Sequence, residues 1–152
     1  MAGTTFLFNN TIQRIFSDTI NLSTDTFYCL LTSAASVPAA TGSTRADVVA
    51  SELVGGNYVR KDLVKTPGDP SLFNTNGSKI SFTNPQWIAL WCSPSVTLGG
   101  LVILKGTVSA SAAGDFVVGY YALPSDYAVP TTLTGAPTIT FPFDSTRVIS
   151  AN

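Results

Sequence analysis

No histidine occurs in this chain of 152 residues. That absence removes the commonest general base, the usual metal ligand and every Ser-His or Cys-His nucleophile pair. The nine acidic residues do not compensate, because they stand apart. Asp47 and Glu52 come closest, and five residues apart on a helix they diverge. The glycine-containing stretches "LVGGN" and "LGGL" are too short to cradle a phosphate. Only carboxylates assembled from distant positions, such as Asp115, Asp126 and Asp144, leave an enzymatic route open. The sequence therefore assigns no catalytic, cofactor-binding or metal-binding residue and no cofactor, and the chain reads as a non-enzyme.

Charge is scarce as well. Charged residues make up 11% of the chain, against about 25% in an average soluble domain. Net charge is −1, and the only local basic group, Arg60, Lys61 and Lys65, has Asp62 inside it. A nucleic-acid partner needs several cations on one surface, so none is expected. Apolar runs fall short of the ~18 residues that a membrane helix needs. "MAGTTFLFNN" lacks the positive region and long apolar core of a signal peptide. Neither a membrane nor a leader is expected. Two cysteines cannot build a disulfide framework. Cys29 and Cys92 both lie in apolar runs and read as buried thiols, with a single Cys29–Cys92 bond left open.

Serine and threonine fill the place of charge, at roughly a quarter of the chain, beside 45% apolar residues. Such a surface suits permanent contact with other protein, and equally an ordinary secreted β-domain. The length fits one domain over residues 1–152. Asn10 with Gln13 has capping-box spacing, and Phe8, Ile12, Ile15 and Phe16 recur on one side of a helix over about 9–18. Thr44 with Asp47 caps a short second helix, "RADVVASELV", which Gly55-Gly56 stops. Strands are expected within 25–143: "TDTFYCLLTS" (24–33), "NYVRKDLVK" (57–65), "KISFTN" (79–84), "QWIALWC" (86–92), "LVILKGTV" (101–108), "DFVVGYYAL" (115–123) and "PTITFPF" (137–143). Residues 34–44 and 66–78 read as loops, and 144–152 as a tail. Strands that do not alternate with helices argue against a doubly wound fold. The expected fold is mainly β (α+β): a compact antiparallel β-sandwich or barrel with one or two short packed helices.

Several strands are apolar on both faces. In "TDTFYCLLTS", Phe27, Cys29 and Leu31 oppose Tyr28 and Leu30. In "WIALWC", Trp87, Ala89 and Trp91 oppose Ile88, Leu90 and Cys92. In "FVVGYYAL", Phe116, Val118 and Tyr120 oppose Val117, Tyr121 and Leu123. Parallel α/β sheets show this pattern under helices, which are too few here. The expectation is that Phe27, Cys29 and Leu31 meet the core, that the helix bearing Ile12, Ile15 and Phe16 covers Tyr28 and Leu30, and that later strands face other subunits. Trp87, Trp91, Tyr120 and Tyr121 are the candidate contacts from those strands; an aromatic platform for carbohydrate is the alternative use of the same four rings.

The order of these elements carries a resemblance. An amphipathic helix runs into "TINLSTDTFYCLLTSAASVP", followed by "RADVVASELVGGNYVRKDL", the pair "LVILKGTV" and "DFVVGYYALPSD", and the late "APTITF". This resembles a family of small tailed-bacteriophage structural proteins, whose members run from a helix into a "DTIKVALLTS"-like strand and later show an "AVIYKDT…LIGYVDFG"-like pair. The resemblance covers most of residues 8–143 and includes no catalytic motif. It implies a virion component assembled in the bacterial host cytoplasm. The favoured role is a capsid decoration (cement) protein, with a tail, neck or fibre-associated part as the alternative. The implied partners are the major capsid protein or other virion proteins, together with self-association as a dimer or trimer. The termini add candidate contacts: Thr4, Thr5, Phe6, Leu7 and Phe8 at one end, Asp144 and Arg147 at the other.

Overall fold

The computed structural model describes residues 6–65, 73–74, 77–80, 82–141 and 149–151. Three apolar runs form its centre: β2 (Phe27–Ser33), β7 (Val96–Lys105) and β8 (Val117–Val129). With β1 (Phe6–Leu7) and β3 (Lys61–Leu63) they make an open five-stranded sheet in the order β1-β8-β7-β2-β3. Every neighbouring pair is antiparallel. The fold is mainly β, as expected, and among the described residues the sheet does not close into a barrel.

Alternation along each strand sends side chains to two separate cores. Phe27, Cys29 and Leu31 join Leu101 and Ile103 in the first; Tyr28 and Leu30 join Val102 and Leu104 in the second. The first face is covered by a two-stranded ladder of β6 (Gln86–Trp87) and β9 (Ile139–Thr140). That layer contributes Phe82, Trp87, Leu90, Cys92, Ile139 and Phe141, with Ile20 and Leu22 beside it. The second face is covered by Phe8 and by Val48 of a four-residue helix, Arg45–Val48, with Phe6 and Val108 at its margin. Left bare, Tyr28, Leu30, Val102, Leu104, Val117 and Tyr120 would forfeit on the order of 10 kcal/mol of burial. That is comparable to the whole stability of a domain, so this thin second cover is a requirement of the fold. A further antiparallel sheet, in the order β10-β5-β4, contains β4 (Phe73–Asn74), β5 (Gly77–Ile80) and β10 (Ile149–Ala151).

The helix α1 spans only Thr11–Phe16 and is turned away from its expected orientation. Thr11 is its buried residue, Ile15 packs on the first core, and Phe16 is 76% exposed. The Tyr28/Leu30 face is therefore not covered by Ile12, Ile15 and Phe16. The reason lies in β8. Leu104 pairs with Val117 while Ile103 pairs with Gly119, so Val118 is an extra residue. Beside this bulge the Val118 carbonyl continues the register of the β1 ladder, accepting the Phe8 N–H at 3.3 Å, and it also accepts the Thr11 hydroxyl at 2.8 Å. The Thr11 hydroxyl, bonded to this strand, faces inward and leaves Phe16 on the outer side of the helix. The same bulge resets the alternation of β8. Val117 and Tyr120 share one face, and Val118, Tyr121 and Leu123 the other, which corrects the pairing read from strict period two.

Other boundaries differ for local reasons. Asn10 makes no side-chain cap bond, whereas the Thr44–Asp47 capping box is present. The second helix stops at Val48 and continues only as a single 3₁₀ turn, Val49–Ser51. Glu52 then bridges to Thr32 on the edge of β2. "QWIALWC" is a strand only over Gln86–Trp87, because Ala89 takes a left-handed backbone with φ 47°. In the final run only Ile139–Thr140 is strand, and Pro142 and Phe143 lie outside the described residues.

Two substitutions check the orientation of α1. Thr11→Val is expected to cost about 1–2 kcal/mol through the lost bond to the bulge. Phe16→Ser is expected to change stability by less than about 0.5 kcal/mol. Urea denaturation of both variants measures the order, and a larger loss for Phe16→Ser contradicts it.

Candidate interaction surface

The residues expected at an interface are mostly consumed by the cores. Trp87, Tyr120, Tyr121 and Phe8 are buried. Trp87 donates its indole N–H to the Val59 carbonyl at 2.7 Å. Tyr121 meets Phe141 edge-on, and Tyr120 packs on Phe6, which in turn meets Phe8 edge-on. Phe6, Leu7 and Trp91 are half-buried. Thr4, Thr5, Asp144 and Arg147 lie outside the described residues. A carbohydrate platform needs open ring faces; Trp87, Tyr120 and Tyr121 present none.

The candidate chemistry is similarly occupied. The Asp115 carboxylate accepts the Tyr28 hydroxyl at 2.7 Å and the Ala112 N–H at 2.8 Å. The side chain of Asp126 and the whole of Asp144 lie outside the described residues. A small cleft of about 210 Å³ beside Asp115 is lined by Lys105, Gly106, Gly114 and Phe116. Its lysine is held by Asp25 at 2.8 Å and by the Thr19 carbonyl at 2.6 Å. Cys29 and Cys92 are free, buried thiols, and burial pushes both upward in pKa, away from the reactive thiolate. Among the described residues no cluster of three metal-type side chains forms.

What stands open is elsewhere. Ile88 is 71% exposed, Val54 66% and Val59 55%, and Val64 and Leu133 are also exposed. Val54 and Val59 flank a groove of about 390 Å³, lined by residues 52–55, 58–60 and Val108. Its charges cancel. Arg60 donates from Nε and Nη2 to the two carboxylate oxygens of Glu52, each at 2.7 Å. The Glu52 side chain is only 6% exposed, so the fork geometry satisfies a carboxylate that burial would otherwise penalise.

This ion pair also finishes the sheet. Direct pairing of β2 with β3 ends at Cys29–Lys61. Beyond it the Leu31 N–H finds no strand; it donates to the Tyr58 hydroxyl at 3.1 Å, and Tyr58 donates to Glu52 at 3.0 Å. A side-chain hydroxyl thus stands in for a missing ladder acceptor and closes the edge of β2.

The loop carrying Tyr58 is locked to the loop carrying Ile88. Asn57 donates from Nδ2 to the Ala89 carbonyl and accepts the Trp91 N–H, both at 2.9 Å. Gly56, at φ +64°, lies so near the Trp91 carbonyl that any β-carbon would overlap it. Pattern reading missed this region because it is built on exceptions to pattern. The weak alternation of "NYVRKDLVK" was its one visible sign.

Comparison of the chain with protein-family models, with curated proteins and with solved structures gives no significant match. The candidate surface therefore rests on its own geometry.

Burial raises the pKa of Tyr28, Tyr58 and Tyr121 above the ordinary 10.0, and that of Cys29 above the ordinary 9.0. The folded chain thus holds protons that the unfolded chain releases in alkali. Their stabilising contribution is fully present below about pH 9 and is lost as pH rises beyond it. Tyr58→Phe, which strands the Leu31 N–H, is expected to cost about 1–3 kcal/mol at neutral pH. It should also make the alkaline loss shallower. Urea midpoints between pH 7 and 11 measure both effects, and a midpoint flat across that range contradicts the assignment.

Proposed function

We propose that this chain is a non-enzymatic structural protein of a tailed-bacteriophage virion, acting as a capsid decoration protein that stabilises the shell through protein–protein contacts. The observation that carries this reading is the exposure of Val54, Val59 and Ile88 on loops that are hydrogen-bonded to each other, on a chain only 11% charged. Apolar side chains gathered on interlocked loops mark contact with other protein. The neutral groove beside them carries no unpaired cation or anion for a charged substrate. Binding that occurs only to the assembled shell stabilises that shell by mass action.

The resemblance in element order supplies the virion setting, and the mainly β fold is compatible with it. Sheet faces already filled by this chain's own residues leave the loops as the surface for coat subunits. The carbohydrate-binding alternative loses support because three of its four rings are interior.

Co-sedimentation tests the proposal. The recombinant chain is expected to pellet with capsids that lack it and to occur in purified virions of the phage encoding it. A chain that stays in the supernatant and is missing from virions overturns the proposal.

A further inference from the structure

We draw no further inference here: the strongest candidate, the exposed apolar patch of Val54 and Val59 along their groove with Ile88 on the loop bonded to it, carries nothing beyond the contact surface already proposed, because nothing in the structure shows what covers it.

Discussion

Three adjacent strands that are apolar on both faces set the terms for everything else in this molecule. β2, β7 and β8 cannot rest one side on a core and leave the other in water. The chain meets this demand unequally. One face receives a full layer, the β6–β9 ladder with Phe82, Leu90, Cys92 and Phe141. The other receives little more than Phe8, Val48 and the margin formed by Phe6 and Val108. The short helix Arg45–Val48 matters out of proportion to its length for this reason. Its Thr44–Asp47 cap holds Val48 over Tyr28 and Leu30 although the helix has no length of its own to sustain it.

Filling both faces from within shifts the consequences to edges and loops. The edge of β2 runs out of β3 partners at Cys29; the Leu53 N–H on the Leu31 carbonyl, the Thr32–Glu52 bridge and the Tyr58–Glu52–Arg60 network complete it. The loops bearing that network are then clamped to the 88–92 segment through Asn57 and Gly56. The large apolar residues left outside by this arrangement, Val54, Val59 and Ile88, stand on loops with little freedom. Surface of that kind fits a constituent of a larger assembly, and it links the architecture to the proposed structural role.

The two-faced demand of β2 is legible in "FYCLLTS", and so is the split of Phe27, Cys29 and Leu31 from Tyr28 and Leu30. The Thr44–Asp47 cap, the antiparallel mainly β class and the buried thiols are legible for the same reason: each is a local rule that the sequence obeys. The rest turns on features that periodicity cannot carry. One extra residue, Val118, moves Tyr120 to the opposite face from the one period two assigns. The Val118 carbonyl beside the bulge also accepts the Thr11 hydroxyl, which fixes Thr11 inward and leaves Phe16 in solvent. Ala89 breaks an apparently continuous strand and puts Ile88 outside. Aromatic content pointed to Trp87, Tyr120 and Tyr121 as contacts, yet large rings are what a thin-walled sandwich needs inside.

The central claim is that the sheet faces are satisfied within the chain, so that in the proposed structural role the loops are what is left for other subunits. Amide hydrogen exchange, compared between the isolated chain and the assembled particle, tests this most directly. The account predicts slow exchange in Phe27–Thr32, Leu101–Leu104 and Val117–Tyr121 already in the isolated chain, with new protection on assembly confined to residues 54–60 and 86–92. Rapid exchange of β7 and β8 in the isolated chain, slowing only on assembly, would contradict it.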